Sequence, residues 1–150
     1  MKDRSERRVI NRHLFTPHYL SLIANVLTSG SSREYLSRYG VGLNEARIIT
    51  VLGHVPGLTP TELGAAMAMN KSIVSRSLAA LVERKFIRQE GTPRALHNYL
   101  TDAGFLIHDR IVPIALGREE ALLAGITQDE RQQLLQLLAR MLKNTESMKS

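Results

Sequence analysis

Residues 59–100 read TPTELGAAMAMNKSIVSRSLAALVERKFIRQEGTPRALHNYL. Thr59 is suited to cap a helix, Pro60 to take its first position, and Glu62 to complete a capping box by reaching back to the Thr59 backbone. That helix is short, ending near Met67 with Leu63 and Ala66 as its apolar positions. Met69-Asn70 turns the chain, and Asn70 caps a longer helix over residues 71–85 whose apolar side is Val74, Leu78, Leu81 and Val82. Residues 86–90 and 97–100 read as two strands joined by Gly91-Thr92-Pro93-Arg94 as a short hairpin tip.

Outward from this stretch the chain is helical. Thr16-Pro17 predicts a helix start with Thr16 as cap, followed by apolar Leu20, Ile23, Leu27, Tyr35 and Tyr39. Gly30, between Ser29 and Ser31, is a place for that helix to bend or break, and Gly40-Val41-Gly42 ends it. Asn44 is expected to cap a second helix through Ile48, Ile49 and Leu52, stopped before Pro56-Gly57. Thr101 caps a helix carrying Phe105, Ile107 and Ile111, kinked at Pro113. Thr127-Gln128-Asp129-Glu130 is a second capping box, opening a Leu-rich helix through Leu134, Leu135, Leu137, Leu138, Met141 and Leu142. The expected fold class is mainly α with a small β-hairpin wing: a winged helix-turn-helix flanked by N- and C-terminal helices, which the family resemblance given below makes dimerisation helices. No later segment covers the Leu-rich helix, so packing against a second copy is the expected burial.

The helix over residues 71–85 separates two faces. Val74, Leu78 and Leu81 point inward, while Ser72, Ser75, Arg76 and Ala79 recur at helical spacing on the opposite side. Small polar side chains let a helix lie deep in a major groove, and an Arg pairs with the guanine edge. Lys71 stands in the first turn, where an ammonium and free backbone N–H groups meet a phosphate. The charge agrees: the chain of 150 residues has a formal net charge of +6 and a pI near 10.1, which raises the expectation of a polyanionic partner. Residues 71–97 carry +4 of it and residues 1–13 carry +3, the rest being near balance. The candidate DNA-binding residues are Thr59, Thr61, Asn70, Lys71, Ser72, Ser75, Arg76, Arg88 and Arg94.

The sequence resembles the MarR family of bacterial transcription regulators over about residues 43–104. The resemblance is carried by Leu58-Thr59-Pro60-Thr61-Glu62-Leu63-Gly64, Asn70-Lys71-Ser72-Ile73-Val74-Ser75-Arg76, Leu81-Val82-Glu83-Arg84-Lys85-Phe86-Ile87-Arg88 and Leu100-Thr101-Asp102-Ala103-Gly104. It implies one domain over residues 1–150: residues 43–101 as the winged helix-turn-helix lobe, residues 1–42 and 102–150 as dimerisation helices. It also implies a homodimer on a pseudo-palindromic double-stranded operator, with recognition helices in successive major grooves and wings reaching the minor groove. Such regulators commonly act as repressors relieved by a small anionic or aromatic effector bound between the dimer helices and the DNA-binding lobe. His13, Tyr39 and Arg47 are the candidate ligand-binding residues on that likeness. The wing departs from the family pattern: an Asp-x-Arg cluster is usual there, whereas this tip has one Arg, so only Arg94 carries over.

Composition narrows the alternatives. The chain has no cysteine, which excludes disulfides, thiolate metal sites, Fe–S clusters and cysteine nucleophiles. The five histidines (His13, His18, His54, His97 and His108) show no metal-ligand spacing, so neither metal nor cofactor is expected. No Ser-His-Asp arrangement or Gly-rich phosphate loop is present, so the chain is not expected to be an enzyme. No apolar run approaches the length of a membrane span, and the polar, basic start is not a secretory signal, so a cytoplasmic protein is expected. The competing reading is a winged-helix protein–protein interaction module whose basic face meets an acidic protein without specific DNA binding.

Overall fold

The computed structural model describes residues 7–149. A 3-10 turn, Arg12–Leu14, precedes α1 (Thr16–Tyr39); α2 (Leu43–His54), α3 (Pro60–Met67) and α4 (Lys71–Glu83) follow. The strands β1 (Ile87–Thr92) and β2 (Ala95–Leu100) pair antiparallel, and α5 (Asp102–Leu122), α6 (Gln128–Asn144) and a 3-10 turn, Thr145–Met148, complete the order. Two compact units divide the chain, one extending to Pro113 and the other beginning at Ile114.

In the first unit α2 is the central element. It packs on α1, α3, α4 and β2 and buries Ala46, Ile48, Ile49 and Leu52. Leu63 and Met67 come from α3, and Val74, Leu78 and Leu81 from α4. Ile87, Leu100 and Ile111 add the hairpin and α5 to the same core. In the second unit α6 opens with the expected capping box on Thr127 and Glu130. Arg131 donates to Glu119 at 2.9 Å.

Several local expectations are corrected. Phe15, not Thr16, is the N-cap of α1, so Thr16-Pro17 are its first two residues. The helix continues through Gly30, since one interior glycine costs only about 1 kcal/mol and leaves the hydrogen-bond ladder intact. Along α1 Tyr35 is buried, while Leu20 and Ile23 are 40% and 42% exposed. Gly42, not Asn44, caps α2, because the Glu45 carboxylate at the third helical position accepts from the Gly42 N–H at 3.3 Å. In α3 the buried partner of Leu63 is Met67, and Ala66 faces outward. The strands run further toward the tip than residues 86–90 and 97–100, since Gly91↔Leu96 and Thr92↔Ala95 also pair. The tip is thereby reduced to Pro93-Arg94. As expected, Pro113 falls inside α5, which continues to Leu122.

The turn between α3 and α4 contains Ala68 in the left-handed region at φ 50°. There its amide closes the C-terminus of α3 by donating to the Ala65 carbonyl at 3.5 Å, and Met69 donates to the Gly64 carbonyl at 3.0 Å. A Cβ in that conformation costs about 1–2 kcal/mol, partly offset by the greater freedom glycine has when unfolded. Ala68→Gly is therefore expected to raise stability by about 0.5–1 kcal/mol in urea titration. A loss of stability would contradict this account of the turn.

Candidate nucleic-acid interface

The site is built on two capped helices. The Thr59 N–H donates to Glu62 Oε2 at 2.8 Å, and its hydroxyl contacts the same oxygen at 3.0 Å. The Glu62 N–H donates to the Thr59 hydroxyl at 3.3 Å in return. The Thr59 backbone donor, then its hydroxyl, hold the Glu62 carboxyl below the ordinary carboxylate range, with nearby His97 adding to the effect. Thr59 is thus spent mainly on structure, while Thr61 beside it is exposed.

Asn70 Oδ1 accepts from the Ile73 N–H at 2.9 Å and starts α4. The two faces read from the sequence are present: Val74, Leu78 and Leu81 are buried, and Lys71, Ser72, Ser75, Arg76 and Ala79 are exposed. The fold therefore brings Asn70, Lys71, Ser72, Ser75 and Arg76 together on the first two turns of one helix, with the positive end of its dipole at Lys71.

Two cations of the basic segment are engaged within the fold. Arg84 turns back toward α1 and donates from Nη1 to the Gly40 carbonyl at 2.7 Å. Arg88 pairs with Glu90 and lies 4.6 Å from the ring centre of its cross-strand neighbour Tyr99, so its guanidinium is held on the hairpin surface. Arg94 is exposed at the tip. The hairpin is anchored by a residue that sequence reasoning passed over. Asn98, fully buried, donates from Nδ2 to the Leu58 carbonyl at 2.9 Å and accepts from Gln89 Nε2 at 2.9 Å. Its backbone N–H also donates to the Leu58 carbonyl at 3.1 Å, and its carbonyl accepts from Gly57 at 2.9 Å. His97 Nδ1 donates to the Gly57 carbonyl at 2.8 Å. The loop that introduces α3 is thus stitched to β2 by an isolated antiparallel bridge between Leu58 and Asn98. The signal was alternation: Asn98 shares one strand face with Leu96 and Leu100, a polar residue at an inward position.

The candidate ligand contacts stand on separate elements. His13 lies exposed in the first 3-10 turn, and its carbonyl takes the Tyr19 hydroxyl at 3.5 Å. Tyr39 is half-buried in the last residue of α1. Arg47 donates to the Met67 carbonyl at 3.0 Å, holding the C-terminus of α3.

A capped helix, a tight turn, an exposed second helix and an antiparallel hairpin define a winged helix-turn-helix. Residues 39–95 match the model of the MarR family. The HTH-type transcriptional regulator PecS of Dickeya dadantii (strain 3937) is 27% identical over 117 residues, covering 74% of this chain and 70% of that protein. A MarR/EmrR family transcriptional regulator from Acinetobacter sp. ADP1 is 28% identical with a TM-score of 0.84, over 92% of this chain and 99% of the other. MepR of S. aureus, solved in complex with DNA, shares the fold at 17% identity, with a TM-score of 0.77 over 89% of this chain and 99% of its own. The chain is thus similar to MarR family transcription regulators, in sequence over residues 39–95 and in fold over most of its length.

Proposed function

We propose that the protein is a sequence-specific double-stranded DNA-binding regulator, a cytoplasmic homodimeric repressor relieved by a small anionic or aromatic ligand. The single observation that carries the reading is α4: one face is locked in the core and the other presents small polar side chains, one Arg and an N-terminal Lys to solvent. That division suits insertion into a major groove. Residues 43–101 form the DNA-binding lobe, and Arg94 at the wing tip is the candidate for the minor groove.

The helices outside the lobe are proposed to make the dimer. In α1, Tyr19, Leu22 and Val26 are 48%, 50% and 69% exposed. In α6, Leu135, Leu137 and Leu142 are 51%, 52% and 68% exposed. Apolar rows of this size mark contact surfaces. In a two-fold dimer the recognition helices meet half-sites about 34–36 Å apart, one helical turn. A ligand acts by favouring a dimer with another spacing. His13, Tyr39 and Arg47 are its candidate contacts, and Arg47 would exchange the Met67 carbonyl for the anion.

The test is fluorescence anisotropy against the DNA upstream of the protein's own gene and against scrambled DNA, over a salt series. Arg76→Ala is expected to cost about 1–3 kcal/mol of sequence discrimination while leaving scrambled DNA nearly unaffected. Lys71→Ala is expected to weaken both DNAs alike and to lower the salt slope by about 1. Absence of binding at low salt would overturn the reading; equal effects of the two substitutions would overturn the roles assigned to them.

A further inference from the structure

The C-terminal residue of α4's cap, Arg84, joins four elements through one side chain. Nη1 donates to the Gly40 carbonyl at 2.7 Å and Nη2 to the Tyr39 carbonyl at 3.3 Å. These are terminal carbonyls of α1, which closes at Gly40 in the left-handed conformation at φ 62°. A cation there meets the negative end of the helix dipole. Nη1 is also 3.7 Å from Glu45 Oε2 in the first turn of α2, and Glu45 itself caps the Gly42 N–H. On its other side the guanidinium lies 4.7 Å from the centre of the Phe86 ring, which leads into β1. With 36% of the Arg84 side chain and 21% of Glu45 exposed, the charge attraction is screened and contributes little to global stability. The geometry is directional, however: two donors on one plane, an acceptor at its edge and an aromatic face beneath. An ammonium cannot reproduce that combination.

We propose that Arg84 is a positioning residue for DNA recognition, setting the orientation of α4 against the end of α1 without itself touching DNA. The inference rests on the reading of α4 as the recognition helix. Arg84 follows α4 directly, so a change in its anchorage tilts the helix that carries Ser72, Ser75 and Arg76. Through Tyr39 and Gly40 the anchorage ends on α1, the helix proposed to meet the second copy. The clasp is therefore the place where a shift of α1 passes to α4. Of the six cations in residues 71–97, Arg84 leaves the DNA-facing count and joins the frame.

The experiment compares the wild-type protein with Arg84→Lys and Arg84→Gln. Anisotropy is measured on operator and scrambled DNA over a salt series, and amide hydrogen exchange is measured without DNA. Both variants are expected to lose roughly tenfold in operator affinity, the size of one mismatched base pair. Binding to scrambled DNA should stay within about twofold and the salt slope should not change, because no phosphate contact is removed. Exchange should rise at residues 36–41 and 80–86. A salt slope lowered by about one, with both DNAs weakened alike, would make Arg84 a phosphate contact and overturn the proposal. An unchanged operator-to-scrambled ratio would leave it a packing residue and overturn the proposal while the regulator reading stands. If the wild-type protein itself shows no operator preference, the regulator reading fails; the exchange data then decide the clasp, and unchanged protection at both segments overturns it.

Discussion

Asn98→Leu is expected to destabilise the protein by about 1–3 kcal/mol, although it replaces a polar side chain by an apolar one of similar size in a fully buried position. Leucine satisfies burial but removes the donor to the Leu58 carbonyl and the acceptor for Gln89. The Leu58 carbonyl keeps the residue 98 backbone N–H and Gln89 is exposed, so the cost is that of two lost side-chain hydrogen bonds, each about 0.5–1.5 kcal/mol. Against a total stability of about 5–15 kcal/mol the change is large. It should appear as a lower urea midpoint with an unaltered slope. Its consequence for function is local: Leu58 introduces α3 and Asn98 belongs to the wing, so a join held by backbone bonds alone gives the hairpin tip carrying Arg94 more freedom relative to the helix pair. A change below about 0.5 kcal/mol, the range of ordinary surface substitutions, would show that the polar stitch does not hold the wing.

Gly104→Ala is expected to cost about 3 kcal/mol, reversing the sign that helix propensity alone dictates. In an open helical position the replacement stabilises by about 1 kcal/mol. Here a Cβ would run into the Phe86 carbonyl oxygen and stand 3.1 Å from its carbonyl carbon and 3.3 Å from Leu100 Cδ2. That carbonyl also accepts from the Thr101 N–H at 3.0 Å, and the Thr101 hydroxyl accepts from the Gly104 N–H at 3.1 Å. Backbone against backbone cannot yield as a flexible side chain does, so the start of α5 must move away from the entry to β1. Thermal melts of Gly104→Ala against Gly117→Ala, an α5 position where a Cβ meets nothing within 4 Å, separate the two effects. A higher melting temperature for both would refute the close-packing account.

The sequence by itself determined the order of elements, the caps at Thr59, Asn70, Thr101 and Thr127, and the division of α4 into a buried and an exposed face. These depend on contacts three or four residues apart, where spacing and side-chain chemistry suffice. The helix-turn-helix was legible for that reason, since capping residues and an inward Val74, Leu78 and Leu81 leave few other uses for the outer face. Local competition was harder to read: Asn44 looked the better cap for α2, but Glu45 made Gly42 the start by returning a carboxylate to its N–H. Only the tertiary structure decided what Arg84, Asn98 and Arg47 do. Each satisfies a carbonyl group 20 to 45 residues away, and such pairings depend on how helices cross and strands register, which no single run of side chains encodes. The same long-range geometry divided the basic segment: all six cations are exposed, but Arg84 is engaged with the end of α1 and Arg88 with Glu90 and Tyr99. Charge totals count cations, but only packing decides which of them are taken up by contacts within the fold.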